Sequence, residues 1–365
     1  MTNKQVSRGS LTVLAGILLC TASVSMLAAQ GTKQRIIQTN SAGDNIHIID
    51  PATNKVVGEI KDVEAPHGVT VAPDGSRIYV SEQSTNTLTV VDGKTLQVTK
   101  RIPLSGNPNL VDITPDGRFI YVAIALSWTD LSEFPQIKAA PSGGVDVIDT
   151  TSLQNVKSIA IKGGIHDLNV TPDGKYVLAG ASRDAKPAAN AMYVIDTKTN
   201  EVTRTVSMSP SPSPMAVTKK PDGSTDKVYA QNGGLNGFAV LDFATGVSTN
   251  QIKLPDIAPD KQNSHGGPSV SHGIAVTSDQ KTLLVNSRLN STLYAYSLPD
   301  LKLLGGAALG GKGAGWLTIS NDDKTAYVAN EHTNDVSVVD IKSLKETARI
   351  PVGFAPARNA TWMAP

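Results

Sequence analysis

Two motifs alternate along the chain, one in six complete copies and the other in seven. Together they predict an all-β fold: a seven-bladed β-propeller of four-stranded antiparallel blades, its ring closed by N- and C-terminal strands in one blade. The first motif is an apolar run, a tight turn and a second apolar run. It reads GVTVAPDGSRIYVSE (Gly68–Glu82), LVDITPDGRFIYVAI (Leu110–Ile124) and DLNVTPDGKYVLAGA (Asp167–Ala181). It continues as AVTKKPDGSTDKVYAQN (Ala216–Asn232), GIAVTSDQKTLLVNS (Gly273–Ser287) and WLTISNDDKTAYVAN (Trp316–Asn330). Pro-Asp-Gly between β-branched runs is a hairpin signal: Pro presets φ, Asp bonds back to the chain, and Gly accepts a positive φ.

The second motif is an alternating run ending in Asp, a short polar turn and another alternating run. It begins at Asp44, Asn86, Gly143, Asn190, Asn236, Ser291 and Asn334. The first motif is one copy short, and NATWMAP (Asn359–Pro365) matches only its opening strand. RIIQTN (Arg35–Asn40) supplies the missing strand, so one C-terminal strand completes a blade begun at the N-terminus. Closing the ring in this way removes a loose edge. No helical period of adequate length separates the strands, which excludes a parallel α/β sheet.

The start of the chain has the order of a secretory signal. Lys4 and Arg8 precede an apolar stretch from Leu11 to Leu27, and Ala28 and Ala29 precede polar Gln30. The expected organisation is a signal over 1–29 and a single propeller over 30–365. Leu27 and the length of the stretch leave an uncleaved anchor as the alternative. Cys20 is the one cysteine, and Leu19 before it is too bulky for a lipoprotein signal. A cleaved product has no thiol, which excludes disulfides, thiolate metal sites and cysteine nucleophiles. No later segment is apolar enough to span a bilayer. Lys and Arg (33) balance Asp and Glu (32), so nothing draws the chain to nucleic acid or an anionic membrane. The expected location is periplasmic or secreted, as a monomer.

The segments YVSE (Tyr79–Glu82), YVAI (Tyr121–Ile124) and YVAN (Tyr327–Asn330), the PDG turns before them and the VVD strands after them resemble the YVTN family of propeller repeats. The resemblance covers nearly all of residues 30–365. It implies the propeller fold and leaves the function open. Relatives include surface-layer modules, ligand or nucleic-acid binders, lactonase-like proteins and the propeller parts of redox enzymes.

In a propeller the PDG turns join the innermost strand to the second, and the Asp-containing turns join the third to the fourth, on one end of the disc. The other end carries three insertions. Ala125–Ser142 holds Trp128, Asp130 and Glu133. Ala181–Ala189 holds Arg183, Asp184 and Lys186. Pro255–Ser271 holds Asp256, Asp260 and His265. Insertions gathered on one face point to a binding face. Counting seven residues back from each turn Asp gives His67, Asn109, His166, Met215, His272 and Gly315, with Asn359 in the last copy. Three of the six histidines thus share one position at the channel rim. Imidazoles there suit a divalent metal such as copper or zinc, general-base work, or an anionic ligand, while duplication alone would also place them there. Candidate ligand residues are His67, Asn109, His166, His272, Glu82, Arg288, Trp128 and Trp316, with His67, His166 and His272 as the candidate metal set. Glu331 and His332 are further helpers, and His47 reads as structural.

No phosphate loop, G-x-S-x-G elbow, H-E-x-x-H helix, haem-attachment motif or basic aromatic groove occurs. The leading expectation is an envelope binding module that holds a small molecule or an envelope protein on the insertion-bearing face. The alternative is a metal-dependent or acid–base enzyme, lactonase-, lyase- or oxidase-like. A surface-array role is a third.

Overall fold

The computed structural model describes residues 1–2, 33–125, 143–161, 163–181, 191–208, 212–232, 234–258, 262 and 270–365. The chain divides into two compact units, Met1–Gly31 and Thr32–Pro365. The expected signal segment lies outside the described residues. So do Trp128, Asp130, Glu133, Arg183, Asp184, Lys186, Asp260 and His265 of the three insertions.

Seven four-stranded antiparallel sheets form a ring. Their innermost strands are Pro66–Val71 (blade 2), Pro108–Ile113 (blade 3), Ile165–Val170 (blade 4), Pro212–Lys219 (blade 5), Ser271–Val276 (blade 6), Ala314–Ile319 (blade 7) and Pro356–Ala364 (blade 1). They stand side by side around a central channel. Blade 1 is the closure: the C-terminal strand pairs with Lys33–Asn40, through partners such as Ile36 with Thr361 and Gln38 with Asn359. Among the described residues no helix is long and apolar enough to cross a membrane.

Alternation within the strands puts apolar side chains between blades, and seven such layers close the circle. Tyr79, Leu88 and Val90 of blade 2 pack on Val111, Ile120 and Val122 of blade 3. The seam follows the same pattern, with Ile36 and Ile49 of blade 1 against Tyr327, Val336 and Val338 of blade 7. Tyr79, Tyr121 and Tyr327, the tyrosines of the repeat segments, are fully buried. Each carries a large apolar ring into an inter-blade layer.

The turns behave as their sequences dictate. Asp116 accepts from the Arg118 N–H (3.0 Å), and Asp279 from the Lys281 N–H (2.9 Å). The turn glycines Gly75, Gly117, Gly174 and Gly223 have φ between 69° and 86°. Where the repeat carries Gln280 or Asp323 instead, φ is still positive, at 57° and 56°.

The inner strands of blades 2, 3 and 7 are each clipped to the second strand of the blade before. Ser81 donates to the Asn109 carbonyl (2.6 Å) and Thr39 to the His67 carbonyl (3.0 Å). Asn286 donates to the Gly315 carbonyl (3.0 Å). Gly68 sits where the inner strands of blades 2 and 3 meet closest, since a Cβ there would lie 2.5 Å from the Asn109 carbonyl oxygen. The backbone around the channel is thereby fixed, and side chains projecting from it have defined positions.

Candidate functional site

Strand pairing defines which residues are equivalent. In blade 2, Pro66 pairs with Glu82 and Val69 with Val80, so His67 lies in the bulge between them. Asn109, His166, His272 and Gly315 occupy the same bulge in blades 3, 4, 6 and 7. In blade 5 the pairs are Pro212 with Asn232 and Met215 with Ala230, which puts Ser213 at the rim and Met215 two residues beyond it. In blade 1, Asn40 pairs with Pro356 and Gln38 with Asn359, which puts Ala357 at the rim and Asn359 two residues beyond. The count from the turn therefore needs correction in two blades. The blade 5 hairpin has two extra residues between its rim and its turn Asp, and blade 1 has no turn to count from because its strands come from opposite ends of the chain.

The rim thus carries His67, Asn109, His166, Ser213, His272, Gly315 and Ala357. The next residue inward is Gly68, Leu110, Asp167, Pro214, Gly273, Trp316 and Arg358 in the same order of blades. Trp316 reaches from blade 7 across the channel to Leu110 of blade 3 and Ala357 of blade 1, and is 4% exposed. Its indole meets His272 edge-on with ring centroids 4.2 Å apart and His67 at 6.2 Å. His166 lies 6.5 Å from His272, ring to ring, and its Nδ1 is 2.5 Å from the Ser213 hydroxyl. The Arg358 guanidinium stacks on the Trp316 face at 4.4 Å.

The three histidines expected to share the channel do share it. Trp316 contacts both His67 and His272. Among the described residues, no three His, Cys, Asp or Glu side chains are placed to hold one ion.

Protonation in the channel is shaped by burial. His67 is held down to about 4, first by desolvation and then by the Arg358 and Arg288 charges, while the Asn109 side chain acts weakly the other way. It is a neutral imidazole at physiological pH, and its Nε2 is buried without a hydrogen-bond partner among the described residues. Asp167 is pushed up to about 7, first by desolvation; Arg358 and the Met215 N–H oppose the rise, and Asp112 adds to it. Its Oδ2 accepts from the Met215 N–H (2.8 Å) and its Oδ1 is buried without a hydrogen-bond partner among the described residues. Burial also raises Asp112, whose carboxylate accepts from the Val170 and Ile113 N–H groups.

The remaining expected residues divide. Arg288 lies at the rim, where Gly315 leaves room: a Cβ there would be 3.4 Å from the guanidinium. It pairs with Glu331 at 2.6 Å across blades 6 and 7. Glu82 is away from the channel, fully buried, and occupied by Thr85 (3.0 Å), Thr87 (2.9 Å) and Arg101 (3.0 Å). It fastens the loop after its strand. His47 lies in the third strand of blade 1, as a structural residue would. Counting missed Ser213, Asp167, Asp112 and Arg358. The signal for Ser213 and Arg358 was in the prolines: Pro66, Pro108, Pro212 and Pro356 each open an inner strand immediately before the rim residue.

Residues 8–135 match the YNCE-like beta-propeller family. No curated protein matches the chain. Among solved structures, the chain is similar to hydrazine synthase of Kuenenia stuttgartiensis. That match has 23% identity and a TM-score of 0.67, covering 83% of this chain and 91% of that one. The periplasmic gluconolactonase PpgL of Pseudomonas aeruginosa is similar at 17% identity and a TM-score of 0.69, covering 91% and 100%. The dihydro-heme d1 dehydrogenase NirN is similar at 15% identity and a TM-score of 0.62, covering 89% and 74%. At these identities the structural matches speak for the fold. The chain is a seven-bladed β-propeller whose residues 8–135 match the YNCE-like beta-propeller family.

Proposed function

We propose that the protein is an exported propeller of the cell envelope that binds a small molecule at the histidine-bearing mouth of its channel. One observation carries this reading. The equivalent rim position holds His67, Asn109, His166, Ser213 and His272 in five blades, and three of these side chains form a chain of ring contacts with Trp316. Aromatic surface beside a few placed polar groups, on a rigid backbone, is what small-ligand sites are made of. The expected insertions arise on the same end of the disc. Export is supported by the order of residues 1–31 and agrees with a periplasmic protein among the structural neighbours.

The test is a thermal-shift screen of residues 30–365 against small acids, sugars, amines and nucleosides. Wild-type protein is expected to be stabilised by at least one class, and His166→Ala/His272→Ala to lose that response. No response in wild type, or one that survives the double substitution, contradicts the reading.

A second reading, acid–base catalysis, is favoured by one feature. A carboxyl group near 7 and a neutral imidazole occupy one channel, the kind of split protonation that acid–base sites use. Under it, Asp167→Asn abolishes turnover of the bound molecule and spares its binding.

A further inference from the structure

The channel has a second compartment, on the turn-bearing side of Trp316. This cavity of about 430 Å³ is lined by Thr70, Asp112, Asn169, Thr318, Arg358 and Asn359, among others. It falls within the range of small-ligand sites, near its lower end. Arg358 is its cation. Burial lowers the guanidinium pKa, and the opposing charges that act on it are Asp167 and Asp112. Among the described residues Arg358 makes no ion pair and donates no side-chain hydrogen bond; its close contact is the Trp316 face. Asp112 is engaged by two backbone N–H groups and Asp167 by one, and neither carboxylate forms an ion pair with the arginine.

Arg358 is only partly buried, so its guanidinium is within reach of a molecule in this cavity, and an anion there would supply the ion pair that no carboxylate among the described residues makes with it. A guanidinium fork matches the paired oxygens of a carboxylate or phosphate.

We propose that this compartment binds a small oxyanion-bearing molecule, its negative group on Arg358. The site is separate from the histidine mouth, and either can fail without the other.

Isothermal titration of residues 30–365 with lactate, inorganic phosphate and uncharged lactamide tests it. Wild type is expected to bind lactate or phosphate saturably and not to bind lactamide. Arg358→Met, which keeps the bulk over Trp316, should weaken binding by about tenfold or more, equivalent to a lost charge-assisted contact. Arg358→Lys should recover part of it, and His166→Ala should leave it unchanged. Preference for lactate identifies an organic acid as the source, and preference for phosphate a phosphorylated or inorganic one. Circular dichroism confirms folding; if the Met variant fails to fold, Arg358→Gln and Arg358→Lys carry the comparison. The proposal is overturned if neither anion binds, if lactamide binds as well as lactate, or if the variants bind like wild type.

Discussion

The two ends of the channel differ in how far the seven blades agree. At the turn end, blade after blade carries an Asp that bonds its own turn. Asp74, Asp116, Asp173, Asp222, Asp279 and Asp322 each accept a backbone N–H two residues on. At the rim the equivalent position is His, Asn, His, Ser, His, Gly and Ala. One inward, Gly68, Leu110, Asp167, Pro214, Gly273, Trp316 and Arg358 differ still more. Every blade but the closing one needs the same turn, so agreement there reflects folding. The ring needs the rim backbone, held by clips such as Ser81, but not any one rim side chain. Divergence within a repeat therefore separates side chains free to serve a ligand from those the fold requires.

The sharpest way to break that comparison is at the inner backbone. Gly68→Ala forces a Cβ to within 2.5 Å of the Asn109 carbonyl oxygen and 2.9 Å of the Leu110 Cα. A loss of about 1–3 kcal/mol is expected in urea denaturation, the range for overpacking. A neutral result would mean the inner strands have room to part. A turn carboxylate is worth less: Asp173→Ala removes bonds from Thr171 Oγ1 (2.7 Å) and the Lys175 N–H (3.2 Å), and about 1 kcal/mol is expected by the same method. The rim should be the cheapest of all, with Ser213→Ala changing the unfolding free energy by less than about 0.5 kcal/mol while disturbing the His166 ring it contacts.

Acidity sharpens the comparison further. Folded His67 titrates near 4 rather than its ordinary 6.5, so between those values the unfolded chain binds more protons and stability rises with pH. Folded Asp167 titrates near 7 rather than 3.8, so across that window the folded chain binds more protons and stability falls as pH rises. Asp112 acts in the same sense as Asp167. The two effects oppose each other in the wild type. His67→Gln should make stability fall more steeply as pH rises from 4 to 7, and Asp167→Asn should tilt the profile the other way. Parallel profiles for the two variants would show that the channel interior does not shift these groups.

Most of the fold was legible because the propeller is a repeat, and its local chemistry is local in sequence. The PDG turns, the alternating runs and the shortfall of one strand were enough to infer seven blades and a closure by both termini. The rim histidines were legible for the same reason, as residues at fixed distance from a turn. Ser213 was not, because two extra residues in one hairpin shift the count. Arg358 was not, because the blade that carries it pairs with residues more than three hundred positions away. Nothing in spacing tells that Trp316 crosses the channel and contacts both His67 and His272, since that depends on the width of the ring. A charged residue such as Glu82 at a strand end reads as exposed until its partner Arg101 is seen.

One scan tests the division of labour between the two ends. Each rim residue from His67 to His272 and each turn aspartate is replaced singly by alanine. Melting temperature and stabilisation by the compound class found in the screen are then measured together. Turn variants are expected to melt lower and keep the ligand response; rim variants are expected to melt like wild type and lose it. Ligand responses that survive at the rim, or vanish with the turns, would contradict the assignment of function to the diverged end.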